Sequence, residues 1–297
     1  FSMLLIIAAI ISPSFLKWST ISNLFVQGAI VGICAMGMSL VISAGMIDLT
    51  VGSAVAFIAG MGISVLNKTG SITLCLMFCV GAGLIVGLIN GVLVTKGKIA
   101  PFIVTLAAMS AWRSVINQLG QGGPFTVKYE YYESFRKITA GSVGDFLPYL
   151  MVYLLIITFI THIIMSRTKF GTYVYSVGSN TQAARLSGIP VDRVKIVVFM
   201  YAGLMYGIAA FLLGSRLTSI QAASAGYQYE MEAIAAVAIG GTAMEGGKGK
   251  IVGTLLGILM LRIIITVMVM ANVPPFLNGL VQGLIIIIAV LAQNRKK

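Results

Sequence analysis

Long apolar runs follow one another along the chain at 1–12, 24–43, 51–66, 71–94, 99–119, 147–166, 195–214, 230–244, 250–271 and 276–292, separated by short breaks bearing Gly, Pro or charge. No water-soluble fold buries so much of itself. Hydrophobic residues make up 58% of the chain and charged residues 9%, against about a quarter charged in an ordinary soluble domain. A bilayer core of about 30 Å takes about 20 helical residues per crossing. The runs therefore predict an all-α integral membrane protein of about ten transmembrane helices, forming a single domain over 1–297. The sequence opens on Phe1 already within an apolar run, so this first helix is expected to be clipped. Pro101 and Pro148 stand where helices should start, since a first-turn residue loses no hydrogen bond by lacking its N–H. Pro274 and Pro275 predict a tight hairpin.

The basic residues set an orientation. Alternate loops on one side hold twelve Lys and Arg against three acids, and those on the other side seven against five. The first side, with both termini, is predicted to be cytosolic. The basic excess is thus topological, and no basic patch interleaved with aromatics suggests a nucleic-acid partner. Cys34, Cys75 and Cys79 sit in apolar runs and read as core packing rather than as a disulfide or zinc framework. Glycines spaced by four at 83, 87 and 91, at 249, 253 and 257, and in the pairs 28/32, 203/207 and 279/283 predict close helix approach, within the bundle or against a second copy.

Three breaks carry more than a turn. In the predicted cytosolic loop 167–194, the run from Ser179 to Pro190 reads as a short helix. Asn180 is its N-cap, Ala183, Ala184, Arg185 and Leu186 lie within it, Gly188 is its left-handed stop, and Pro190 prevents continuation. Such a rigid helix at the membrane surface is a suitable lever for a cytosolic partner. The second break, Ile239 to Gly249, contains Gly241, Glu245 and Lys248. It fails as a phosphate loop because Gly247 stands where that motif needs Lys and no Ser or Thr follows. It predicts a Gly-rich turn at the cytosolic edge. The third, Gly45 to Ser53, places Asp48 at the junction of two spans, where its carboxylate can cap a helix beginning near Leu49. The predicted outer loop 120–146 is the other long connection.

The stretch Ile47–Ser53, the run from Phe170–Gly171 to Leu186–Ser187–Gly188–Ile189, and Ala233–Thr242 with Gly246–Gly249 resemble the ribose-type sugar permeases of bacterial ABC importers. The resemblance extends over nearly the whole chain in order and spacing. It implies a multi-pass permease subunit of the bacterial inner membrane, paired with a second permease subunit, identical or different. It also implies a cytosolic ATPase that engages Asn180–Gly188 and itself holds ATP and Mg, and an extracytoplasmic solute-binding protein. The chain would bind no cofactor and would move its solute, a monosaccharide such as ribose, by alternating access.

Polar residues within the runs are the remaining candidates. Gln27, Asn90, Asn117 and Gln118 offer amides to a polyol path or hydrogen bonds between helices. Arg262 falls about 18 Å along its helix from Lys250, near the bilayer midplane, where an unpaired arginine costs about 2.5–3.5 kcal/mol. It is expected either to pair with carbonyls or a carboxylate, or to line the path or a subunit interface. The units 24–66 and 230–271 share a plan of span, acid-bearing turn and span, which predicts an internal repeat. The alternative function is an ATP-independent secondary transporter or channel; the apparent placement of every acid at the edge of a run argues against ion coupling. His162 has no Cys or carboxylate near it in sequence and suggests no enzyme.

Overall fold

The computed structural model describes residues 17–144 and 146–270, and beyond them 273, 274, 277, 279–281, 283, 284, 287 and 291. The predicted run 1–12 lies outside the described residues, as does most of 276–292; the predicted turn at 274–275 is described only at Pro274. The described chain is helical: α1 (Trp18–Ser43), α2 (Val51–Thr69), α3 (Ile72–Thr95), α4 (Pro101–Leu119), α5 (Tyr129–Ala140), α6 (Tyr149–Arg167), α7 (Lys169–Ser179), α8 (Thr181–Leu186), α9 (Val191–Leu217), α10 (Tyr229–Ile239) and α11 (Ile251–Met270). Among the described residues six helices are long and apolar enough to cross a membrane: α1, α2, α3, α6, α9 and α11. The chain is an all-α, multi-pass membrane protein.

Two predicted spans depart from a simple crossing. α4 has 19 residues but carries Arg113. The run 230–244 forms only the 11 residues of α10, about 16 Å of helix, because Gly240 and Gly241 end it early. The chain nevertheless passes from one end of the bundle to the other between Ser219 and Gly240. Its first half is the irregular segment 222–228 and its second half is α10.

The two ends of the bundle are identified by what is attached to them. At one end Trp18 stacks on Phe146 and donates to its carbonyl, Asn67 donates to the Thr126 carbonyl, and α5 packs on α9. At the other end Lys96 and Arg185 both approach Asp192 beside α8. Helix α5 was not predicted; Phe135 and Thr139, four residues apart, turn its inner face onto Ser215. Two small antiparallel sheets complete that end: β1 (Pro124–Thr126) with β4 (Ser219–Gln221), and β2 (Ser142–Val143) with β3 (Leu147–Pro148).

Helices α1 and α9 form the core. Every residue of α1 from Gly28 to Ser43 is buried, as expected of a helix apolar on all sides and surrounded by others. Helix α3 runs antiparallel against α9 with backbones nearly touching, Gly83 against Gly203 and Gly87 against Phe199. A side chain at either α3 glycine would overlap a carbonyl of α9. The stripe at 253 and 257 meets α10 in the same way, Gly28 lies against α11, and Gly32 lies against Leu154 of α6 and Ile258 of α11. These stripes therefore serve packing within the chain. Cys34, Cys75 and Cys79 are buried and free, and Cys79 packs on Gly62 of α2.

Candidate functional site

At the α8 end, Asn180 Oδ1 accepts from the backbone amides of Gln182 and Ala183 at 3.0 and 2.9 Å. Those bonds fix the start of α8, and Gly188 (φ 80°) turns the chain out of it. Ala184 is buried, Arg185 reaches Asp192 at 3.2 Å, and Leu186 is 91% exposed. A short helix anchored by a cap, a buried alanine and an ion pair thus presents a bare leucine outward. Helix α7 leads into it and was read from sequence only as loop; Thr168, whose hydroxyl accepts from the Gly171 amide at 3.3 Å, is the N-cap signal that marks its start.

The turns on either side of α7 come together on it. Gly247 N donates to the Ser43 carbonyl at 2.9 Å, and the Tyr175 hydroxyl donates to the Gly249 carbonyl at 3.0 Å. Gly241, Glu245 and Lys248 are exposed on the outside of the same turn.

Asp48 corrects the prediction of an edge carboxylate. It is 1% exposed, and its Oδ2 accepts from the hydroxyl of Tyr206, at the middle of α9, at 3.0 Å. Oδ1 accepts from the amide and hydroxyl of Thr50. Asn90 of α3 donates to the Thr50 hydroxyl at 3.2 Å, leaving its own Oδ1 without a partner among the described residues. The turn between α1 and α2 is therefore pinned to α3 and α9 inside the bundle. Helix α2 begins at Val51, two residues later than expected. In its first turn Gly52 lies against the carboxylate of Glu230 of α10, whose Oε2 would be 2.8 Å from a β-carbon at that position. A carboxylate nearly 180 residues away thus meets the positive end of α2.

Glu230 and Glu232, counted with an outer loop from sequence, lie in the first turn of α10 within the bundle. Glu232 pairs with Arg262 of α11, the two side chains 13% and 12% exposed. This is the carboxylate pairing that was one of the two expectations for Arg262, and the Arg262 stem packs on Gly28 of α1. The partner was hidden because a contact between antiparallel helices 30 residues apart leaves no spacing signal. Arg113 of α4, beside Glu230, donates through one nitrogen to the carbonyls of Ala222 and Ala225, both at 2.8 Å. It ties down the irregular segment that precedes α10.

The proposed path residues are spread over the bundle. Gln27 is half-buried on α1, Asn90 is buried on α3, and Asn117 and Gln118 lie at the far end of α4, half-buried and exposed. α4 packs on α2 and α3, whereas α11, with Arg262, packs on α10, α1 and α6. Within one chain these residues do not form a single site. Among the described residues no group of three His, Cys, Asp or Glu side chains could hold a metal ion.

Comparison with known proteins accounts for this architecture. The ribose import permease protein RbsC of Bacillus subtilis is 39% identical over 295 residues, covering 99% of this chain and 90% of that protein. Its namesake in Haemophilus influenzae is 34% identical over 293 residues, covering 98% and 90%. The L-arabinose transport system permease protein AraH of Escherichia coli is 32% identical over 297 residues, covering 100% and 89%. No solved structure matches the chain. The family described as branched-chain amino acid transport system / permease component matches residues 20–290, and with that match extending from the first turn of α1 to beyond α11, the chain belongs to this permease family.

Proposed function

We propose that this chain is the membrane-spanning subunit of a binding-protein-dependent ABC importer, and that its solute is an aldopentose such as ribose or arabinose. The observation that carries the reading is α8: a capped helix on the bundle end that exposes Leu186 almost fully. A bare leucine on a rigid short helix presents apolar surface that a partner gains by burying. Its place between α7 and α9 lets a push be felt in the membrane. In this reading the partner is a cytosolic ATPase that holds ATP and Mg; Asn180, Ala183, Arg185, Leu186 and Gly188 form the contact, while Ala184, expected from sequence to share it, is buried and anchors the helix to the bundle. Gly241, Glu245 and Lys248 lie on the same cytosolic face.

The distribution of basic residues supports cytosolic termini and ten crossings, with α4 and the 222–239 passage counted among them and the terminal runs supplying two more. Both acid-bearing turns meeting on α7 support a repeat of 24–66 in 230–271. A solute-binding protein would dock on the opposite face over 120–146 and 215–229. A path between two permease subunits accommodates Gln27, Asn117, Gln118 and Arg262, which one chain leaves apart. Full-length relatives named for ribose and L-arabinose support a sugar over the amino acids in the family's description.

Proteoliposomes test the proposal. With the ATPase and binding protein of its own system, ATP should drive uptake of labelled ribose or arabinose but not leucine. Leucine uptake would overturn the solute assignment. Equal sugar uptake by the purified chain without ATPase would establish the secondary transporter instead.

A further inference from the structure

Two backbone junctions in this molecule leave no room for side chains, and one short segment joins them. At the first, the turn after α1, the end of α7 and the turn before α11 meet through glycine. A β-carbon at Gly178 would overlap the Ser43 carbonyl and stand 2.7 Å from Gly247 N. One at Gly246 would lie 2.8 Å from Gly45 Cα and 2.9 Å from the Gly178 carbonyl. At the second junction, Gly52 and Gly226 cross so closely that a β-carbon on either would overlap the other's carbonyl. Between Gly45 and Gly52, Asp48 and Thr50 fasten the chain to Tyr206 and Asn90.

We infer that the segment Gly45–Gly52 is a rigid transmitter that couples α7 and α8 to the irregular loop 222–228 on the opposite side of the bundle, with Gly178 and Gly226 as its positioning residues. The inference rests on the transport reading above. Its physical basis is compliance: contacts made by side chains yield through rotamer changes, whereas contacts between bare backbones cannot. A displacement of α8 carries the end of α7 with it, because Asn180 both caps α8 and directly follows α7. Gly178 then bears on the Ser43 carbonyl and on Gly247. The same segment, pivoting about the Tyr206 and Asn90 bonds, moves Gly52 against Gly226. The loop that moves is the one Arg113 holds by two carbonyls. Neither junction requires a charge to change, so the device is mechanical.

The test uses the reconstituted complex with its ATPase and binding protein. The chain's own Cys34, Cys75 and Cys79 are buried, so Ser224→Cys alone reports on the loop through labelling by an impermeant maleimide. Tyr206→Phe removes the pivot bond to Asp48 without adding an atom to either junction. It should keep ATP hydrolysis, lower sugar imported per ATP at least tenfold and abolish the ATP-dependent change in labelling at position 224. Gly178→Ala, which adds one carbon to the first junction, should have the same effect. Normal coupling in folded Tyr206→Phe overturns the transmitter while leaving the transport reading intact. An unsubstituted chain that imports no sugar with its ATPase and binding protein overturns the transport reading itself.

Discussion

Tyr206 donates its hydroxyl hydrogen to Asp48 across 158 residues of sequence, at 3.0 Å and out of contact with solvent. The bond joins the middle of α9 to the turn between α1 and α2. Removing the donor leaves a buried carboxylate one bond short, at a cost of about 1–3 kcal/mol. Tyr206→Phe should destabilise the purified protein by that amount in thermal unfolding. Asp48→Ala should do at least as much, and the double variant should lose less than the sum. Strictly additive losses would mean that the bond does not form.

Arg262 and Glu232 make a second buried relationship, in which the single and double variants should behave oppositely. Arg262→Leu strands a carboxylate in an apolar setting and should cost about 3–5 kcal/mol. Arg262→Leu/Glu232→Leu removes both charges and should recover most of that loss. Urea or heat stability of the four proteins of the cycle decides it. A double variant as damaged as the single would show that the arginine matters for something other than its partner.

Glycines of α3 offer a contrast within one helix. Gly87→Leu drives a side chain into the α9 backbone and should prevent recovery of folded, monodisperse protein. Gly81, on the same helix, has nothing within 4 Å of where a β-carbon would go. Gly81→Ala should therefore raise stability by roughly 0.5–1 kcal/mol through helix propensity alone. Size-exclusion profiles and melting temperatures separate the two cases.

Asn180→Ala should act locally. Losing the cap costs α8 about 1 kcal/mol, which leaves the melting temperature of the bundle almost unchanged. Amide hydrogen exchange should rise over 181–187 and nowhere else. Under the proposed function, stimulation of the partner ATPase by the loaded binding protein should fall several-fold.

Arg113 tests the irregular half of the passage before α10. Arg113→Leu removes both bonds to the Ala222 and Ala225 carbonyls. Exchange and proteolysis at 222–228 should increase sharply, while the 181–187 amides stay protected as before. Unchanged protection of 222–228 would mean that the Gly52–Gly226 crossing holds the loop alone.

How much of this was legible in the sequence follows from the range of the interactions involved. The α8 helix was readable because its cap, stop and breaker all lie within a dozen residues. The apolar runs marked the six long helices because a bilayer imposes a length on every crossing. What failed was depth. Asp48 and Glu232 sit at the ends of apolar runs, so sequence put them at the membrane edge. Folding back of the 44–50 turn and of segment 222–228 carries them inside, and their partners Tyr206 and Arg262 come from other helices. Loss of the edge placement also removes the argument it gave against ion coupling. What now bears on that alternative is that both carboxylates are engaged by protein groups. Helix α5 was missed for a different reason: its sequence, Tyr129 to Ala140, is polar enough to pass for a loop, and only Phe135 and Thr139 of it are fully buried.

The broken passage between Ser219 and Gly240 also has a consequence for how the molecule is made. Eleven helical residues behind an irregular stretch are too short to be released into lipid as a finished crossing. Arg113 holds two of its carbonyls and the walls formed by α1 and α2 flank it, but its remaining face closes only against α11, which is synthesised later. Integration at the ribosome must therefore hold this segment back until α11 emerges to pair with it, so that the earlier two-thirds of the protein acts as the chaperone for the last third.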